Sequence, residues 1–438
     1  MQNRLSCFVS NGSLNCQFLI PHFIFTAMQN WVQHTNIYEV NLRQYTPEGT
    51  INAFAAHLPR LKDMGVETLW FMPLTPISKK NRKGTMGSYY ACSDYTSVAL
   101  EFGTLEDFKT LVYQAHQMGF KVILDWVANH TGWDHWWTVE HPDRYEKDEQ
   151  TGDFKKASGM DDIIELDFKN PALRKAMIAA MKFWITETDL DGFRCDLAFW
   201  VELNFWMEAK PELEKIKPLF WLGELDPLDN PEYMQVFDAA YTWRWMHKAE
   251  HFYKAQASFD ELLQVLDQYQ DAPGTKAWFT SNHDENSWNG TEYEKYGELV
   301  KALAVFGCTW PGLPLVYSGQ ELPNHKRLQF FEKDPIEWQA ECVLHSFYKK
   351  LFGLKKSNSA LAVDAPLQVL RSDAAEKVLV FKRSKGDNEV VVALNFSSEE
   401  KQFAFPVAFD SMTELFSSPV LQASTLSLPP WGFSVWVK

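Results

Sequence analysis

Nowhere does an uninterrupted apolar run approach the roughly 20 residues that cross a bilayer, so no membrane span is expected. Cysteine is sparse. Its six residues, Cys7, Cys16, Cys92, Cys195, Cys308 and Cys342, lie scattered without a CxxC pair, so no zinc site or disulfide framework is implied. Positive charge is in deficit: 42 Lys and Arg stand against 57 Asp and Glu, a formal charge of −15. Such a surface repels phosphate backbones and anionic headgroups, and neither nucleic acid nor a membrane is an expected partner. No repeats or low-complexity tracts interrupt the chain. What is abundant is aromatic, at 15% of the 438 residues with 18 Trp, and flat rings suit sugar faces as well as a large core. The length calls for an enzyme-sized domain plus a smaller one.

Residues 1–27 carry a single Arg4 and a short apolar run, Phe18 to Phe25, broken by Pro21 and His22. That makes a poor export signal, and a leader or disordered extension is expected there, with Met28 as a natural alternative start. A weak export signal and a packed extension are the other readings. A cytoplasmic location is therefore expected, with export through that signal as the alternative. From Asn36 short apolar runs alternate with amphipathic stretches, the pattern of βαβ units. Eight runs read as strands: Ile37–Leu42, Thr68–Met72, Val122–Asp125, Gly192–Cys195, Phe220–Gly223, a weak one at Ala239–Tyr241, Ala277–Thr280 and Pro314–Tyr317. Between them lie helical patterns, such as Ile51, Phe54, Leu58 and Leu61 ending at Gly65, and one capped by Thr104 with Asp107 three residues on, ending at Gly119.

This points to an α/β fold, a (β/α)8 barrel over residues 28–360. A polar, Trp-rich stretch without helical periodicity, residues 131–165, reads as an insert over the barrel's mouth after strand 3. After about Leu361 short β-rich runs separated by turns predict a C-terminal antiparallel β domain, residues 361–438.

Working groups of such barrels sit at the C-terminal ends of strands. Four strands end in carboxylates there: Asp125 after strand 3, Asp196 after strand 4, Glu224 after strand 5 and Asp284 after strand 7. One Asp at a strand end is readily a helix cap, but four together are hard to explain so. Cleavage at an anomeric carbon needs one carboxylate to attack and one carboxylic acid to protonate the leaving oxygen. Asp196 and Glu224, on neighbouring strands, supply such a pair. Arg194, two residues before Asp196 on an alternating strand, points the same way and can keep it ionised, which makes Asp196 the nucleophile. A neighbouring anion and partial burial favour a protonated Glu224.

The run Asp125-Trp-Val-Ala-Asn-His130, the segment Gly192-Phe-Arg-Cys-Asp196, Glu224 after an apolar strand and Asn282-His-Asp284 resemble, in order and spacing, the four signature regions of the α-amylase family of glycoside hydrolases. The resemblance runs from about Asn36 to the C-terminus. It implies a catalytic barrel, an insert after strand 3, a C-terminal β domain and a retaining double displacement. The roles it implies are Asp196 as nucleophile, Glu224 as acid/base and Asp284 as binder of ring hydroxyls at the cleavage point. His130 and His283 are implied to bond hydroxyls of the same sugar, with Asp125 and Arg194 organising the site. Gly87-Ser-Tyr-Tyr-Ala-Cys-Ser-Asp94 resembles the family stretch that places a Tyr under the bound ring. Tyr90 takes that place, with adjacent Tyr89 as the alternative. Glu321 falls in the strand-8 region and reads as structural.

Two residues depart from calcium-dependent relatives. Phe199 and Trp200 stand where many carry Lys-His, which removes a basic contact on the leaving-group side and a backbone calcium ligand. Asn129 and Asp167 match family calcium ligands, but two candidates fall short of the six to eight oxygens that Ca²⁺ usually takes. No cofactor is expected to be required, with calcium as the possible one. Trp200 is expected either to stack on the sugar of the leaving-group side or to pack with Phe205 and Trp206. The expected function is α-1,4-glucan hydrolysis by a monomer acting on starch, glycogen or maltooligosaccharides. The alternatives are an α-1,6-acting glucosidase, a transglycosylating or isomerising relative, and a non-enzymatic binding protein on the same fold, which the complete carboxylate set disfavours.

Overall fold

The computed structural model describes residues 8–10, 13–15, 30–404, 412–416, 420–422 and 425–438. Within the expected leader, Phe8–Ser10 pairs antiparallel with Ser13–Asn15, and the remaining residues of the leader lie outside the described residues.

Eight parallel strands close into a barrel: β1 (Ile37–Val40), β2 (Thr68–Phe71), β3 (Lys121–Trp126), β4 (Gly192–Cys195), β5 (Phe220–Gly223), β6 (Ala239–Tyr241), β7 (Thr275–Trp278) and β8 (Leu313–Tyr317). Nearly every strand residue is buried, as expected where helices cover the outside and side chains fill the inside. β2, β3 and β8 differ from their expected bounds by one residue at one end or both, and β1 and β7 by two. β1 stops at Val40 and Leu42 starts a helical turn, Leu42–Tyr45. β7 begins two residues early, at Thr275, because a charged residue fits there: Lys276 turns its ammonium onto the Ala272 and Gly274 carbonyls at the strand's start. The surrounding helices carry the expected caps. Thr104 and Asp107 form a reciprocal capping box on Leu105–Gln117, and Gly65, with φ of 91°, ends Leu58–Met64 in the left-handed conformation.

The insert is anchored by an antiparallel pair, His130–Gly132 with Ile163–Glu165. Trp133 donates its indole N–H to the Asp161 carbonyl at 2.8 Å, and Trp137 lies buried under the Arg144 guanidinium, 4.5 Å from the ring centroid. The C-terminal strands form one five-stranded and one three-stranded antiparallel sheet. They join the barrel through two buried cations: Arg383 donates to the carbonyls of Thr309, Ala362 and Ala365, and Lys355 to those of Gly312 and Leu361. Trp310 meets Phe381 edge-on at 4.8 Å across the same seam.

β4 and β5 carry the two central carboxylates and approach closely at their bases. A Cβ on Gly192 would lie 2.0 Å from the Phe220 carbonyl oxygen. Gly192→Ala is therefore expected to lower stability by about 3 kcal/mol through overpacking, read as a lower urea midpoint with an unchanged m-value.

Candidate active site

Parallel pairing sets Cys195 opposite Gly223, so the next residue of each strand, Asp196 and Glu224, emerge side by side at the barrel's mouth. Arg194, one step earlier, points into the barrel and is fully buried. Its Nη1 donates to Asp125 Oδ1 and to Asp196 Oδ1, each at 2.9 Å, and its Nη2 lies 2.9 Å from Glu224 Oε2. Asp125 also accepts the Trp70 indole at 3.2 Å and the Tyr90 hydroxyl at 3.1 Å, and Tyr241 on β6 accepts Arg194 Nε at 3.2 Å. Asp125 and Arg194 therefore act on the carboxylate pair rather than on open space.

One cation among three buried carboxylates leaves a proton to be held. Burial pushes Asp196 and Glu224 each up to about 7 and Asp125 to about 6, against the pull of Arg194. Burial thus favours a retained proton among these carboxyls near neutrality. Glu224 Oε2 accepts the Leu197 amide at 2.8 Å, which leaves Oε1 as the oxygen to carry the proton. Asp284 goes the other way. Burial raises its pKa, but the His283 cation outweighs that and holds it below the usual carboxylate range. His283 in turn is lowered by burial and raised further by Asp284 and Glu39, ending well above its ordinary value. Its Nδ1 lies 2.6 Å from Glu39 Oε1, and its Nε2 lies 2.7 Å from the Tyr90 hydroxyl and 3.3 Å from Asp284 Oδ2. The ring is buried, with both nitrogens on protein groups.

Asp196, Glu224 and Asp284 line one cavity of about 490 Å³ together with Tyr90 and His130. Tyr90, not Tyr89, faces it. Tyr89 is turned away, donating its hydroxyl to Asn41 at 3.0 Å beneath the Arg43 guanidinium. Burial holds His130 neutral, with a pKa near 4, and its Nε2 has no protein partner among the described residues. Trp200 lies outside this lining. Its ring meets that of Phe199, whereas Phe205 and Trp206 pair with each other.

The calcium expectation meets a poor donor set. Asn129 turns Nδ2 toward His130 Nδ1 at 3.3 Å, Asp167 Oδ1 accepts the Lys169 amide at 3.0 Å, and the Phe199 and Val201 carbonyls accept the Tyr233 hydroxyl. Asn129 and Asp167 remain two side-chain candidates against the six to eight oxygens that Ca²⁺ usually takes. Among the described residues, His247, Glu250 and Glu285 come close enough to share an ion, but the Lys295 ammonium already bonds Glu285 and lies 3.6 Å from Glu250.

Sequence reasoning missed Glu39, Trp288, Phe330, Phe331, Lys83 and Asp162. Glu39 alone left a signal, a carboxylate inside an apolar strand. The others arrive on loops whose pattern says nothing of what they face.

Residues 21–158 and 142–350 match the family model Alpha amylase, catalytic domain, and residues 367–435 match Maltogenic Amylase, C-terminal domain. The chain is 27% identical over 407 residues to alpha-amylase MalA of Haloarcula japonica, covering 88% of this chain and 59% of that protein. It is 26% identical over 432 residues to a cyclomaltodextrinase of Geobacillus thermopakistaniensis, covering 89% of this chain and 70% of that one. Among solved structures, an alpha-amylase from Lactobacillus plantarum superposes with a TM-score of 0.82 at 26% identity, over 93% of this chain and 99% of the other. The noncanonic maltogenic alpha-amylase AmyB from Thermotoga neapolitana gives 0.82 at 27% identity, over 93% and 99%.

The raised Glu224 pKa has a stability consequence with a definite sign. The folded state holds this proton more tightly than the unfolded chain, so its contribution is present below about 4.5 and is lost as pH rises through about 7. Glu224→Gln removes that loss. The variant is expected to be more stable than the parent by up to about 3 kcal/mol at pH 8, with the gap closing at pH 4.5, as read by thermal melts across pH.

Proposed function

The chain belongs to the alpha-amylase family of glycoside hydrolases, and from that premise we propose that it hydrolyses α-1,4-glucosidic bonds in starch, glycogen or maltooligosaccharides with retention of configuration. The observation that carries the reading is the sharing of Arg194 by Asp196 and Glu224 at the ends of adjacent strands, with Asp284 lining the same cavity. A shared guanidinium keeps the two carboxyls close, in keeping with the about 5–5.5 Å of retaining enzymes rather than the wider gap that admits a water between them.

In the first step Asp196 attacks the anomeric carbon while Glu224 gives its proton to the departing oxygen, forming a glucosyl ester on Asp196. With its proton gone, Glu224 takes one from a water that attacks the same carbon and frees Asp196. Asp284, held ionised by His283, accepts bonds from ring hydroxyls, and charge there favours the cationic transition state. Neutral His130 offers Nε2 to a hydroxyl, and Tyr90 presents its ring face to the sugar. The same carboxylates serve α-1,6 cleavage or transfer to a second sugar, and a product profile on maltotriose, pullulan and isomaltose separates these outcomes.

Retention is checked by a nuclear magnetic resonance time course, in which the α-anomer is expected as first product; the β-anomer appearing first would falsify the mechanism. Asp196→Asn is near-isosteric and is expected to cut kcat at least about 10⁴-fold while the protein stays folded. Chelation is expected to leave rate and melting temperature unchanged, because the two side-chain candidates Asn129 and Asp167 fall short of the six to eight oxygens that Ca²⁺ usually takes. A fall in melting temperature reversed by Ca²⁺ would overturn that expectation.

A further inference from the structure

Beside the catalytic carboxylates the cavity has an aromatic wall that the chemistry described above leaves unused: Trp288, Phe330 and Phe331. Trp288 sits on the π-helical turn Glu285–Asn289 that directly follows Asp284, and it is 52% exposed. This ring is part of a contiguous aromatic patch rather than a lone exposed side chain, and it is held firmly. Its ring centroid lies 5.4 Å from that of Phe330 and 5.6 Å from that of Phe331. Asn286 on the same turn accepts the Leu328 amide at 2.9 Å and donates to the Lys326 carbonyl at 3.2 Å, which locks the β8 loop against the turn. Phe330 also continues from Tyr90, 6.3 Å away with only 20° between ring planes. Tyr90, Phe330 and Trp288 thus make one aromatic track that starts under the reacting sugar and runs away from it.

The barrel order fixes the direction of that track. The leaving group departs beside its proton donor, Glu224, with Leu197, at the ends of β5 and β4. Trp288 follows β7 and the two phenylalanines follow β8, and in the closed order β6-β7-β8-β1-β2-β3-β4-β5 strand β8 lies opposite β4. Lys83, from the loop after β2, closes the track's side, paired with Asp162 at 2.7 Å and 5.9 Å from the Phe331 ring centroid.

We propose that Trp288 is a specificity-determining residue: its indole face carries the glucosyl unit next to the reacting one on the non-reducing side, so that maltosyl donors are preferred over glucosyl donors. This rests on the α-glucan reading above and adds which part of the substrate the enzyme measures. The apolar C–H face of a pyranose and an indole leave water together, and the gain is available only to a donor at least two units long.

p-Nitrophenyl α-maltoside and p-nitrophenyl α-glucoside share one leaving group and differ by a single unit on the side in question. Trp288→Ala is expected to lower kcat/KM on the maltoside on the order of 10- to 100-fold, mainly through KM, the scale of one aromatic face withdrawn from water. The ratio of maltoside to glucoside kcat/KM is the readout, and Trp288→Ala is expected to lower it by on the order of 10-fold, whatever loss the two substrates share. Trp288→Phe keeps a face and is expected to retain most of the maltoside preference. The Trp288 side chain also hydrogen-bonds Asp284, and loss of that bond would slow both substrates by the same factor in both variants. Equal losses on the two substrates, or an unchanged maltoside preference in Trp288→Ala, would overturn the assignment while the parent enzyme still turns over both. A parent that hydrolyses neither substrate would overturn the reaction class, and the assignment with it.

Discussion

The Arg194 guanidinium touches three carboxylates and is itself wholly buried, and the mouth of the barrel is arranged around that fact. A buried cation is tolerable only when paired, and removing a partner leaves an uncompensated charge in a medium that screens it poorly. Here pairing overshoots, because Asp125, Asp196 and Glu224 are three anions to one cation. The remedy is a proton retained among these carboxyls. Around the guanidinium stand ring faces rather than further anions: Trp70 at 4.9 Å, Tyr241 at 5.7 Å and Tyr90 at 5.9 Å. They steady the cation without competing for it. Thus a requirement of burial, met by side chains that also fill the barrel, sets the protonation state that the reaction needs.

A second charge arrangement, held by β1 and the end of β7, does the opposite job. His283 stands between Glu39 on β1 and Asp284 after β7, and its positive charge holds Asp284 below the usual carboxylate range. Two environments therefore divide the carboxylates, one raising Glu224 and Asp196 toward neutrality and the other lowering Asp284. Separated pKa values at one site set the carboxyls that can hold a proton apart from the permanent anion. The division costs stability, since Glu39 is buried with its Oε2 lacking a protein partner among the described residues. Charge strain of this kind is commonly confined to working sites.

The barrel was legible because its evidence is local. Runs such as Phe220–Gly223 are too apolar and too short to be anything but a buried strand, and a carboxylate directly after such a run is placed by the strand itself. Even the weak run Ala239–Tyr241 is a strand, because Tyr241 has a partner inside the barrel in Arg194. The boundary of β7 was hidden because Lys276 looks like a turn residue until its ammonium is seen on the carbonyls of Ala272 and Gly274. Trp200 was read by position relative to the nucleophile. Position in a loop fixes no direction, and its ring lies outside the catalytic cavity's lining. Trp288 and the pair Lys83 and Asp162 were invisible for the same reason, since their meaning lies in contacts between segments dozens to hundreds of residues apart.

Those contacts explain how loops can serve as a binding surface at all. The segment after β2 is tied to the insert through the Lys79 and Lys80 amides on Asp134 and through Lys83 on Asp162. It is tied to the β8 loop through the Thr85 amide on Glu332 at 2.9 Å and the Met86 amide on the Phe331 carbonyl at 3.0 Å. At Gly84, with φ of 62°, the backbones come so close that a Cβ would sit 2.6 Å from that of Phe331. Three loops thus brace one another over the mouth, and the aromatic wall stands on that brace rather than on the barrel strands. Preorganised side chains of this sort bind with less lost freedom than loops that order on contact. The arrangement also separates two properties. Changes at Asp162, Glu332 or Gly84 reshape what the cavity admits while leaving the Arg194 network, and with it the chemistry, untouched.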